Sequence, residues 1–167
     1  MREWSGQTRR SQSGKTINRD YSPIVARGVP VATIMAGSLA PLLPLIATGP
    51  VVPPLGFMIF LAWRIVRPGI LPLWIGLPLG AFDDLFSGQP FGCAIMLWSL
   101  AMLVLEALEA RFPWRGFVHD WGTASALLAA YLGLSALLTG TPPSLPHLLL
   151  ILPQLSLSVL LFPIIAR

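Results

Sequence analysis

The chain has 167 residues, of which 54% are hydrophobic and only 11% charged, with a formal net charge of +4 and a mean hydropathy of +0.73. A soluble domain carries roughly 25% charged residues, so this composition excludes an ordinary soluble fold and predicts a polytopic membrane protein. The basic balance would point to nucleic acid in a soluble domain; here it reads as topogenic charge, with membrane lipid and not nucleic acid as the contact.

Residues 1–27, beginning MREWSGQTRRSQSGKTINRD, are polar and basic. They are expected to form a disordered cytoplasmic tail with weak attraction to anionic lipid. No cleaved signal peptide is expected, because the first apolar run starts after this tail and is long enough to span. Residues 28–167 then read as a single transmembrane domain, divided by glycine, proline and arginine into six apolar stretches near 28–48, 51–66, 69–87, 90–108, 120–140 and 147–166. A bilayer core of about 30 Å takes about 20 helical residues. A β-barrel would need shorter segments alternating apolar and polar, so the predicted fold is an all-α bundle of six transmembrane helices.

The basic residues follow the same division. Arg2, Arg9, Arg10, Lys15, Arg19 and Arg27 precede the first stretch, Arg64 and Arg67 follow the second, Arg111 and Arg115 follow the fourth, and Arg167 ends the sequence. The alternate connections, GPVVPP, SGQP and TGTPPSLPH, contain neither lysine nor arginine. The positive-inside rule then places both termini on the cytoplasmic side of the membrane. Trp63, Trp114 and Trp121 fall near the cytoplasmic boundary as belt residues. Arg64, Arg67, Arg111 and Arg115 form a candidate cytoplasmic docking surface. The competing reading is a solvated loop in which Glu106, Glu109, Arg111, Arg115, His119 and Asp120 partly neutralise one another.

The third stretch, GILPLWIGLPLGAFDDLFSGQPFG over 69–92, holds the acids Asp83 and Asp84. A carboxylate at the centre of a membrane helix costs about 2.5 to 3.5 kcal/mol on insertion scales. The topology moves both toward the periplasmic end, where headgroup water lowers that cost. Gly76, Gly80, Asp84, Gly88 and Gly92 recur every four residues and share one helical stripe. Small residues so spaced let a second helix approach closely. Asp84 is expected to project into that interface and Asp83, rotated by roughly 100°, to be solvated at headgroup level. Pro78 is expected to kink the helix and free a carbonyl, or to be a packing proline without further meaning.

The run from Trp63 to Gly92, with Arg64, Arg67 and Pro68 followed by G-x-x-x-D-x-x-x-G-x-x-x-G at Gly80, Asp84, Gly88 and Gly92, resembles the rod shape-determining protein MreD family. The match covers roughly residues 50–110, and Asp84, not Asp83, falls on the family's acidic position. The resemblance implies a non-enzymatic subunit of the bacterial cell-wall elongation machinery. Its implied partners are MreC, the actin-like MreB filament and the peptidoglycan polymerase with its transpeptidase. A compact six-helix arrangement similar to the substrate-binding components of energy-coupling-factor transporters is also implied. The alternative function is a substrate-binding membrane subunit of a vitamin-type transporter, suggested by intramembrane acids and by Pro41, Pro44 and Pro153 beside Gln154.

An enzyme is not expected. Neighbouring acids cannot converge from different helices as an aspartyl protease requires, and Ser99, Ser125 and Ser156 have no base in view. Cys93 has no partner for a disulfide or a thiolate metal site. His119 and His147 fall on opposite faces of the membrane, so no cofactor or metal is expected.

Overall fold

A computed structural model describes residues 23–42, 53–111, 116–140 and 145–166. Every regular element among them is helical: α1 Pro23–Ser38, α2 Leu55–Val66, α3 Gly76–Phe86, α4 Cys93–Arg111, α5 Phe117–Leu138 and α6 Leu145–Ile165. Short 3₁₀ turns, Ala40–Leu42 and Leu73–Ile75, follow α1 and precede α3. Most of the N-terminal tail, the connection over 43–52, and residues 112–115 and 141–144 lie outside the described residues, and Trp114 and Arg115 with them.

Prolines account for where these helices depart from the hydropathy reading. Pro41 has no amide to donate to the carbonyl of Gly37, so the α-helical ladder is interrupted there; α1 stops at Ser38 and the chain tightens into a 3₁₀ turn. Pro23 takes the first position of α1, where its missing amide is harmless, and the helix therefore starts earlier than the apolar run. Pro53 and Pro54 hold back α2 until Leu55. The largest correction is the third stretch, which is not one spanning helix. Pro68, Gly69 at φ +84° and Pro72 break it, and α3 proper has 11 residues. At 1.5 Å per residue it is about 16 Å long, against the roughly 30 Å of a bilayer core. By length and composition, α4 and α5 are the two helices among the described residues that are long and apolar enough to cross a membrane.

Side-chain contacts fix how the helices run. Trp63 on α2 meets Thr33 on α1, Arg64 on α2 meets Glu106 and Glu109 on α4, Asp84 on α3 meets the start of α4, and Trp121 on α5 meets Val159 on α6. α1 and α2, α3 and α4, and α5 and α6 therefore pack as antiparallel pairs. One end of the bundle collects the starts of α1 and α5 with the finishes of α2, α4 and α6, while the start of α3 lies level with Trp98 of α4. Arg27, Arg64, Arg67 and Arg111 all lie toward that end, and Asp83 and Asp84 toward the other.

The middle is aromatic. Phe57 and Phe60 of α2, Trp98 of α4 and Tyr131 of α5 are all buried. Ring centroids lie 4.4 Å apart for Phe57 and Tyr131, and 4.9 Å apart for Phe60 and Trp98. Such pairs contribute about 0.5–1.5 kcal/mol each beyond the area they bury, and they tie α2 to α4 and α5.

Candidate functional site

The joint between α3 and α4 is built on glycine. A Cβ placed on Gly80 would lie 2.7 Å from the carbonyl oxygen of Ala94 and from the Cα of Ile95, and one on Gly76 would lie 3.1 Å from backbone atoms of Trp98. These neighbours are main chain and cannot swing aside. Only hydrogen at those two positions lets the helix backbones meet. Gly80→Ala is therefore expected to lower stability by about 1–3 kcal/mol through overpacking, and Gly76→Ala by less. Thermal unfolding of the purified chain in detergent checks the order, and an unchanged midpoint for Gly80→Ala would disprove the close approach.

Gly88 and Gly92 leave the stripe. Their φ values are +69° and +101°, and a Cβ on either would meet nothing within 4 Å. Gly88 follows the cap of α3 in the left-handed conformation that commonly ends a helix. Gly92 turns the chain into α4. Their requirement is conformational, whereas that of Gly76 and Gly80 is steric.

Asp84 lies one turn beyond Gly80 on the same face, which aims it at the start of α4. Its carboxylate accepts hydrogen bonds from the amides of Gly92 at 2.9 Å, Ala94 at 2.8 Å and Ile95 at 3.2 Å. Ala94 and Ile95 are in the first turn of α4, where backbone amides have no partner within their own helix. Gly92, just before that turn, has no side chain to cap them. Asp84 does so from eight residues away, and its negative charge also faces the positive end of the helix dipole. With three of about four acceptor positions filled, little of this carboxylate is left for anything else.

Asp83 differs from the expectation of headgroup solvation, being only 7% exposed. A rotation of roughly 100° from Asp84 turns it away from α4 toward the other side of α3. There the hydroxyls of Ser38 on α1 and Tyr131 on α5 are its neighbours. Gln89 and Trp98 flank Tyr131 in turn. Ser38 Oγ, Gln89 Oε1 and Trp98 Nε1 are buried without a well-aligned hydrogen bond. Sequence reasoning missed this cluster. Its members are scattered over α1, α3, α4, α5 and the turn after α3, at separations that no periodicity in the sequence links.

The docking reading of Arg64 does not survive. Its side chain is 2% exposed, and its guanidinium donates from Nη1 to Glu109 Oε1 and from Nη2 to Glu106 Oε2, each at 2.6 Å. The two acids are three residues apart on one face of α4, so this is a clamp between helices. Burial of Arg64 follows from its place on the inner face of α2, beside Leu61 and Ile65. Arg67 and Arg111 are exposed, and Arg67 sits over the Trp63 ring at 5.9 Å. Pro78 is the third residue of α3 and exposed. Its missing amide falls among those that the first turn of an α-helix leaves unpaired anyway, so at this position the proline has no α-helical hydrogen bond of its own to break.

Among the described residues, no group of three or more His, Cys, Asp or Glu side chains is placed to hold a metal ion. The arrangement at the α3–α4 joint can fasten helices and bury charge. No protein-family model matches the chain, and no curated protein or solved structure matches it either.

Proposed function

We propose that the chain is a multi-pass subunit of the bacterial inner membrane, a six-helix bundle with its basic end in the cytoplasm, and that it serves the cell-wall elongation machinery as a non-enzymatic scaffold. The observation that carries this reading is the α3–α4 joint. Gly80 and Asp84, two of the residues on which the resemblance to the MreD family rests, are the ones that fasten these two helices. A carboxylate occupied by three backbone amides is poorly placed to relay protons or coordinate an ion, which favours scaffold over transporter.

Two further features support the membrane setting. Arg27, Arg64, Arg67 and Arg111 gather at one end, as the positive-inside rule requires. Large apolar side chains face outward around the bundle, including Trp74 at 63%, Leu85 at 66%, Phe91 at 73% and Leu160 at 68% exposed. Soluble monomers rarely expose so much apolar surface. A hydrophobic stretch shorter than the bilayer is accommodated by thinning the bilayer or by snorkelling of its flanking residues, which suits α2 and α3. By the resemblance, the partners are MreC, the MreB filament and the polymerase–transpeptidase pair.

Depletion of the chain from its own bacterium tests the reading. Rods are expected to round up, and the tagged full chain is expected to co-purify with a single-span coiled-coil partner and the cell-wall polymerase. Normal rods after depletion would overturn the scaffold role. Co-purification with paired ATPases, or a vitamin retained through purification, would replace it with the transport subunit.

A further inference from the structure

A groove of about 450 Å³ opens between α1, α2 and α6 at the basic end of the bundle. Its polar lining is confined to Thr33, Trp63 and Arg67, and its walls are apolar, with Ile59, Ala62 and Val66 contributed by α2. Two of the polar groups are already engaged. Trp63 Nε1 donates to Thr33 Oγ1 at 2.9 Å, and the Thr33 hydroxyl bonds its own helix backbone. Arg67 is exposed, lies over the Trp63 ring and makes no ion pair among the described residues. It is the open cation of the groove.

From Arg67 the groove runs inward past Val66 and Ala62 to Ile59, about 12 Å at the helical rise. It therefore grades from cationic to apolar along the bundle axis. An anionic amphiphile entering from the cytoplasmic leaflet has the matching gradient. A soluble acidic peptide does not, because it would have to cover the Ile59 end with polar backbone. The fork of an arginine matches a phosphate diester in geometry as well as charge. A tryptophan ring beside it suits headgroup depth.

We infer that this groove holds one anionic phospholipid of the cytoplasmic leaflet, with its phosphate on Arg67 and an acyl chain along Ile59, Ala62 and Val66. The inference rests on the membrane placement proposed above, but not on the role in cell-wall elongation. Bound lipid would pin α6 against α1 and α2 across the gap between them.

Native mass spectrometry of the full chain in mild detergent, with dioleoyl phosphatidylglycerol or dioleoyl phosphatidylcholine added at equal concentration, tests it. The wild type is expected to retain one phosphatidylglycerol about fivefold more than phosphatidylcholine, the scale of one basic residue acting on an anionic headgroup. Arg67→Gln is expected to abolish the preference, and Val66→Glu, which places an anion in the groove wall, to abolish it as well. Arg111→Gln, removing an exposed cation at the same end but outside the groove, is expected to leave the preference intact. Equal retention of the two lipids by the wild type, or equal losses in Arg67→Gln and Arg111→Gln, would overturn the site. A wild-type chain recovered outside the membrane fraction of cells would instead overturn the membrane placement itself.

Discussion

Asp84→Ala is expected to lower the stability of the folded chain by about 2–4 kcal/mol, among the largest effects of any single substitution here. An ordinary exposed helix cap contributes about 0.5–2 kcal/mol. Two features push Asp84 above that range. Its carboxylate serves three amides at once, Gly92, Ala94 and Ile95, and the Ala94 amide is buried, so water is not a ready substitute acceptor for it. Opposing this, alanine removes the cost of burying a carboxylate. The hydrogen bonds and the helix dipole win because they act on the charged form directly at 2.8–3.2 Å, and because the buried Ala94 amide loses its acceptor. Asp84→Asn keeps one acceptor oxygen and loses the charge, so it is expected to fall between wild type and alanine. Thermal unfolding of the purified chain in detergent gives the order. An alanine variant within about 0.5 kcal/mol of wild type, the range of an indifferent surface change, would mean that α4 is capped by something else.

The six helices were legible because hydropathy and the glycine and proline breaks divide the chain at nearly the right places. Their ends were less so. Pro41, Pro53 and Pro72 each moved a boundary by several residues, and the apolar run from 69 to 87 could not show that its first third is turned backbone. The pairing of Gly80 with Asp84 on one face followed from a spacing of four. What Asp84 bonds did not, because its partners are main-chain amides of another helix and leave no residue-type signature. Asp83 was misread for a related reason. Its neighbours Ser38 and Tyr131 lie 45 and 48 positions away, and a solvated acid near the surface was the simpler reading. The docking reading of Arg64 failed because a basic residue beside Arg67 and Pro68 looks like loop charge. The acids that hold it, Glu106 and Glu109, read as part of a separate loop.

The second large effect is expected from removing those acids together. In Glu106→Gln with Glu109→Gln, Arg64 keeps its charge at 2% exposure and loses both anionic partners. Leaving one member of a buried ion pair unmatched costs about 3–5 kcal/mol. The figure here is smaller, about 2–4 kcal/mol, because Glu106 is itself 60% exposed and solvent already screens part of the attraction. Either single glutamine variant is expected to cost much less than half of the double, since the remaining carboxylate stays within reach of the same guanidinium. The informative construction adds Arg64→Met to the double variant. Methionine matches the length of the arginine stem and needs no counter-charge, and buried ion pairs replaced by apolar residues are often neutral or stabilising. The triple variant is therefore expected to recover most of the unfolding midpoint that the double variant loses. If it does not, the clamp is holding α2 to α4 by geometry that an apolar contact cannot reproduce. If the double variant is itself unaffected, Arg64 has found water at the end of the bundle, and α2 is held in place by its apolar and aromatic packing without the clamp.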